Sequence, residues 1–350
     1  MAPPSRALLL AIASIASSSL AQPALGPYNT TCVRPHPSPC IPTAFPRGGG
    51  PLLAPSLTFP RRRYRTYSDP VFDSSDPRVW AWWPTNGTPG QRFPLIPYLH
   101  GVLGGDLDLL GYTAHFGQLA SYGFVVVGTF GCNTGCHDAH NSSRWTACGG
   151  LLPLQPVNEG WDSYYGEAYK IIEWASNMSA SPNADPVFGL IDFAAGAAVV
   201  GHSMGGQGAA MAGGAACTKQ WGVKTVVLHH PAKGDVPWGN IGSNISVPVA
   251  AFTTSGDAIW PETVAIMDAF WARGDQQPYA YRDEAGWSHL EPVLWPPIEN
   301  PFLATFTAAW LKVWLNGDRG EYYDLVFGSA ADSMCGHAEM VNCSSRAPPA

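Results

Sequence analysis

Residues 197–210 read Ala-Ala-Val-Val-Gly-His-Ser-Met-Gly-Gly-Gln-Gly-Ala-Ala, an apolar run that breaks at a G-x-S-x-G and resumes as small helix formers. Few folds accommodate a strand, a sharp turn and a helix packed into so few residues. The turn lifts the hydroxyl of Ser203 above the end of a sheet, and glycines flank it because side chains there would strike the neighbouring strand or helix. An ordinary helix N-cap serine gives the same five letters. The strand before the motif and the small-residue helix after it favour the turn, and Ser203 is the candidate nucleophile.

The chain around this motif alternates between two periods. Strand-like segments are expected at 62–67, 78–83, 95–100, 124–129, 197–201, 224–229, 247–253 and 279–283. Several are continuous apolar runs, such as Phe124-Val125-Val126-Val127 and Thr225-Val226-Val227-Leu228, which suit parallel strands buried on both faces. Helical stretches are expected at 107–122, 161–177, 203–217, 262–271 and 301–315. In the last, Phe302, Phe306, Trp310 and Trp314 recur every four residues, the spacing of one buried helical face, and they read as core. The expected architecture is α/β, a central mostly parallel eight-stranded sheet flanked by helices, with its site beyond the C-terminal strand ends.

Residues 1–21 carry one basic residue, Arg6, an apolar run and the small-x-small sequence Ser19-Leu20-Ala21, the pattern of a secretory signal peptide. Residues 22–60 form an arm rich in Pro, Gly and Ser, 61–325 a single catalytic domain, and 326–350 a cysteine-containing tail. No stretch is long and apolar enough for a membrane anchor, which needs about 20 residues. All eight cysteines (Cys32, Cys40, Cys132, Cys136, Cys148, Cys217, Cys335 and Cys343) follow the cleavage point, so disulfides are expected, including a small loop closed by Cys335 and Cys343. Sequons at Asn29, Asn86, Asn141, Asn177, Asn244 and Asn342 agree with export and a glycoprotein. The formal charge of −7 and the brevity of the one basic cluster, Arg61 to Arg65, argue against a nucleic-acid partner. Charged residues make up only 13% while tryptophans number 14, which suits extracellular work on apolar or insoluble material by a monomer.

An alcohol is a poor nucleophile at neutral pH, so Ser203 needs an imidazole base and that base an acid to fix its tautomer. On a nucleophile turn of this type the order along the chain is serine, acid, histidine. Asp257 lies just past the strand at 247–253 and is preferred over Asp235, Asp268, Asp275, Glu284 and Glu291. Of His229, His230, His289 and His337, the choice falls on His289, on a short loop after the last strand. The pair His229-His230 comes too early and sits beside Pro231, and His337 lies between two tail cysteines. Two backbone N–H groups should receive the charge that develops on a substrate carbonyl: Met204, directly after the serine, and Val102, in the Gly-rich turn His100-Gly101-Val102-Leu103-Gly104-Gly105. His100 is expected to orient that turn.

No metal and no organic cofactor is expected. Cys132, Cys136, His137 and His140 have the residue types of a metal set, but in an oxidising compartment disulfides among Cys132, Cys136 and Cys148 are their expected use. The glycines at 201–208 lack the acidic residue at the end of the next strand that a dinucleotide loop requires. The segment between the strands at 224–229 and 247–253 is too short for a large lid. An open cleft lined by Trp161, Trp260 and Trp287 follows.

Four local motifs together resemble the α/β-hydrolase superfamily, and within it the cutinase-like, poly(ethylene terephthalate)-hydrolase-like and dienelactone-hydrolase-like serine esterases. They are His100-Gly101-Val102, Gly201-His202-Ser203-Met204-Gly205-Gly206, Gly256-Asp257-Ala258-Ile259-Trp260-Pro261 and Trp287-Ser288-His289-Leu290-Glu291-Pro292. The resemblance, over about 61–325, implies an α/β-hydrolase fold and cleavage of carboxylic esters, bulky or polymeric ones included. It also implies that Ile259 and Val102 line the acyl site. The loop at 131–160 and Trp260 depart from the family pattern. Lipase or acyltransferase chemistry on the same three residues, or a hydrolase-fold glycoprotein that only binds, stand as alternatives.

Overall fold

The computed structural model describes residues 30–33, 79–85, 87–101, 106–129, 161–180, 189–232, 235–236, 239–275, 277–293, 301–338 and 340–348. The leader at 1–21, most of the arm, the strand expected at 62–67, the loop at 131–160 and Val102 lie outside them.

The described strands are β1 (Thr30–Val33), β2 (Val79–Pro84), β3 (Leu95–Leu99), β4 (Val125–Thr129), β5 (Ala197–His202), β6 (Val223–His229), β7 (Asp235–Val236), β8 (Gly239–Asn240), β9 (Val249–Thr253), β10 (Tyr279–Glu284) and β11 (Met340–Arg346). The helices are α1 (Asp106–Ser121), α2 (Trp161–Ala180), α3 (Met204–Ala212), α4 (Ala215–Trp221), α5 (Trp260–Ala272), α6 (Pro301–Leu315) and α7 (Glu321–Phe327). Nine strands form one sheet in the order β1-β2-β4-β3-β5-β6-β9-β10-β11, and β7 pairs with β8 in a small hairpin. The sheet is parallel from β4 through β10 and antiparallel at both margins.

Alternation along the central strands divides the core between the two faces. Val125, Val127, Val226 and Leu228 pack with α2, α3 and α5, whereas Val126 and Val227 pack with α1, α6 and α7. Each side chain taken fully from water contributes about 1.5–3 kcal/mol, which is why these runs are apolar at every position. On α6, Phe306 and Trp310 are buried and Phe302 and Trp314 pack at the margin of the same cluster, so the four-residue aromatic spacing does mark core.

Among the described residues the sheet has nine strands where eight were expected, and the strand expected at 62–67 is not among those residues. β1 comes from the arm and pairs antiparallel with β2; β11 comes from the tail and pairs antiparallel with β10. Neither carries a long apolar run of its own, and it is the partner's exposed backbone that orders such an edge strand. The helix expected at 203–217 is two helices, because the chain breaks at Gly213-Gly214. The tail also contributes the end of α7, and Cys335 and Cys343 are joined by a disulfide. Among the described residues no helix is long and apolar enough to cross a membrane.

Candidate active site

β5 lies in the interior of the sheet between β3 and β6, and the turn into α3 is as tight as the sequence requires. Ser203 sits there at φ 57° and ψ −121°, a conformation L-residues adopt only when their surroundings enforce it. The enforcement is visible in the flanking glycines. A Cβ on Gly201 would lie 2.0 Å from the carbonyl oxygen of Gly205, and one on Gly205 would lie 2.1 Å from that of Leu99. The Ser203 N–H donates to the His229 carbonyl at 3.0 Å, and the Ser203 carbonyl accepts from Gln207 and Ala232.

Beyond β9 the chain turns so that the Asp257 N–H donates to the Thr254 carbonyl at 2.9 Å, and one carboxylate oxygen of Asp257 accepts the Ile259 N–H at 3.0 Å. Beyond β10 a loop brings His289 back over the Ser203 turn. Its backbone is held from behind, since His202 Nε2 donates to the His289 carbonyl at 2.6 Å. His289 Nδ1 lies 2.8 Å from Asp257 Oδ2, and its Nε2 lies 2.9 Å from Ser203 Oγ. A carboxylate can only accept, so Nδ1 carries the hydrogen and the Nε2 lone pair faces the serine hydroxyl. No protein-family model matches the chain, and no curated protein does. What the site can do must therefore be read from its own atoms.

Two residues that the sequence reading set aside belong to this constellation. His230, with no exposed surface, approaches the same Asp257 Oδ2 through Nδ1 at 3.0 Å and Glu291 Oε2 through Nε2 at 2.7 Å. Burial alone would push its pKa down, but the hydrogen bonds it donates to Asp257 and Glu291 outweigh that and raise it above the ordinary imidazole value. Asp257 is held far below the usual carboxylate range: burial opposes this, and the bonds from His230, His289 and the Ile259 N–H overcome it. The atoms of His230, Asp257 and His289 lie within 4.8 Å of one another, a spacing that would also suit a cation. Both ring nitrogens, however, face one carboxylate oxygen at hydrogen-bond distance, so both carry hydrogens in place of open lone pairs.

His202 behaves in the opposite way. Burial first, then the neighbouring His289 and His230, lower its pKa well below the ordinary imidazole value. It is neutral, with the hydrogen on Nε2, and its Nδ1 accepts from the Tyr112 hydroxyl at 2.6 Å. That hydroxyl in turn accepts the Gly101 N–H at 3.0 Å. His100 Nδ1 donates to the Gly101 carbonyl at 2.7 Å.

Of the proposed oxyanion donors, Met204 is the first residue of α3, beside the serine, and Val102 is outside the described residues. Ile259 and Trp260 follow directly on the Asp257 turn and are half-buried, and the Trp260 indole N–H donates to Asp283 Oδ2 at 3.1 Å. Trp287, also half-buried, accepts from Thr254 Oγ1 through its carbonyl at 3.3 Å. Trp161 opens α2, and its side chain is outside the described set.

Proposed function

We propose that this chain is a secreted serine hydrolase of carboxylic esters, built on an α/β-hydrolase fold. The observation that carries the reading is the single line of hydrogen bonds from Asp257 through His289 to Ser203, at 2.8 and 2.9 Å, on a strained turn at the end of a parallel strand. Ser203 Oγ attacks the ester carbonyl carbon as its proton passes to His289 Nε2. The charge that collects on the carbonyl oxygen is taken by the Met204 N–H and by a donor of the segment that follows β3 in the sequence, the Val102 N–H. Collapse of the tetrahedral intermediate breaks the bond to the alkoxy oxygen, which leaves as alcohol with the proton from His289. Water then enters, gives a proton to His289, and attacks the acyl carbon; the acid departs as Ser203 recovers its proton. Asp257 stays ionised throughout and stabilises the imidazolium form of His289. No step needs a metal or an organic cofactor.

Support for a bulky or apolar ester comes from Ile259, Trp260 and Trp287, which stand beside the acid and base loops with surface still open to solvent. Leu290, next to the base, is exposed. Export is supported by the leader pattern and the disulfide between Cys335 and Cys343. The decisive experiment is labelling with a fluorophosphonate followed by peptide mapping. The label is expected on Ser203, and wild-type protein that remains unlabelled while folded would end the reading. Ser203→Ala should abolish labelling and lower turnover of a nitrophenyl ester by on the order of 10⁶. Trp260→Ala should change the preference between short and long acyl chains; an unchanged preference removes Trp260 from the cleft.

A further inference from the structure

Among the described residues only Ser203 and His230 combine a side chain with a left-handed backbone, at φ 57° and φ 44°. The strain in the first is the nucleophile turn. Such strain persists only where the surroundings over-determine it, and here they hold the His230 backbone by an N–H donated to the Phe252 carbonyl at 2.8 Å. The ring so placed is fully buried and is flanked on its two nitrogens by two carboxylates, from two different loops. Asp257 follows β9, and Glu291 lies two residues beyond His289 in the loop after β10. Two carboxylates held against one buried ring repel each other, and a cation between them relieves that repulsion. Among the described residues, the other titratable groups that interact with this ring are Asp283, the neutral His202, its chain neighbour His229 and the base His289.

We propose that His230 is a positioning residue in its imidazolium form, donating from both nitrogens so that one cation fixes the acid Asp257 and, through Glu291, ties down the loop that carries the base His289. The proposal rests on the assignment of Ser203, Asp257 and His289 as the reacting group. With His230 charged, the resting cluster of Asp257, Glu291 and His230 carries one net negative charge, and protonation of His289 during attack neutralises it. With His230 neutral, two carboxylates compete for one proton and Asp257 ceases to be a reliable partner for His289.

Three measurements test this. The ring-nitrogen NMR spectrum of His230 in the wild-type protein at neutral pH should show both nitrogens protonated. A single protonated nitrogen, the proton residing on Glu291 instead, overturns the proposal whether or not the enzyme is active. Next, His230→Asn should lower kcat roughly 10–100-fold, the range seen for groups that orient metal-binding imidazoles, with KM little changed. Adding Glu291→Gln should recover part of that loss, because the uncompensated carboxylate is gone; strictly additive effects count against the cation. Finally, kcat/KM of wild type should fall on the alkaline side as His230 loses its proton, and Glu291→Gln should move that limb to lower pH. An alkaline limb unmoved by Glu291→Gln refutes the tie. Fluorophosphonate labelling of each variant separates the two failures: loss of labelling in wild type strikes the triad, and a labelled wild type with an unmoved limb strikes only the role of His230.

Discussion

His229 and His230 are neighbours in the chain and equally buried, yet their surroundings shift them in opposite directions. The first points to the α6 side of the sheet, where its Nε2 meets the Thr307 hydroxyl at 2.9 Å and His115 crosses it edge-on at 5.1 Å between ring centres. The second points to the rim that holds Ser203 and Asp257 and meets two carboxylates. Burial pushes both down; for His229 the nearby His115, His202, His230 and Arg282 push further the same way, while for His230 the carboxylates reverse the sign. The end of one strand thus carries two buried imidazoles whose partners shift them in opposite directions. Partners decide the protonation of a buried histidine, and its depth sets how strongly they do so.

The largest blow to this contrast is Asp257→Asn, which leaves both His230 and His289 without their shared acceptor. Turnover should fall about 10⁴-fold, as expected when the base loses its orienting carboxylate. Residual activity within tenfold of wild type would dissociate Asp257 from the reaction. His230→Leu strips the cation from between Asp257 and Glu291, and breaking a buried pair in this way should destabilise the fold by about 3–5 kcal/mol in denaturant titration. His229→Leu should cost only about 1–3 kcal/mol, for hydroxyl groups left short of a partner, and should leave kcat within about twofold. Equal losses from the two leucine variants would erase the distinction between the faces.

The same contrast has a pH signature. His115, lowered by burial to about 3, and His202 and His229, also lowered, bind protons in the unfolded chain before they do so in the fold. Stability should therefore fall as the pH drops below the ordinary imidazole value of 6.5, by up to about 1.4 kcal/mol per pH unit for each such group. His230 acts with the other sign: its contribution is complete below 6.5 and is lost as the pH rises through its raised folded value. Thermal midpoints across pH should thus show an acid limb that survives His230→Asn and an alkaline limb that does not.

Much of the frame was legible in the sequence because it is written in local terms. The valine runs of β4 and β6 need no partner to declare themselves, and the aromatic spacing of α6 names its buried face. Ser203, Asp257 and His289 could be picked out because chain order and strand ends restrict the choice, and the structure brings these three within hydrogen-bonding reach. The role of His230 could not be read in that way. Its place next to Pro231 and its early position argued for a strand end, and Glu291 appeared too near His289 to matter. They lie 61 positions apart in the chain and meet through a left-handed backbone angle, neither of which leaves a local pattern. The tripeptide His229-His230-Pro231 at the end of an apolar strand is the one local signal that could have drawn attention to it.

The pairing of β11 along β10 has a consequence for how this protein meets copies of itself. β10 leads directly into the loop of His289, and without β11 its backbone would be a bare ribbon edge ready to template another chain. Cys343 lies within β11 and is bonded to Cys335, eight residues back along the chain, so a covalent stitch holds the covering strand in place. A reducing agent would loosen the seam at this margin, and clumping of the protein would then begin beside the loop of His289.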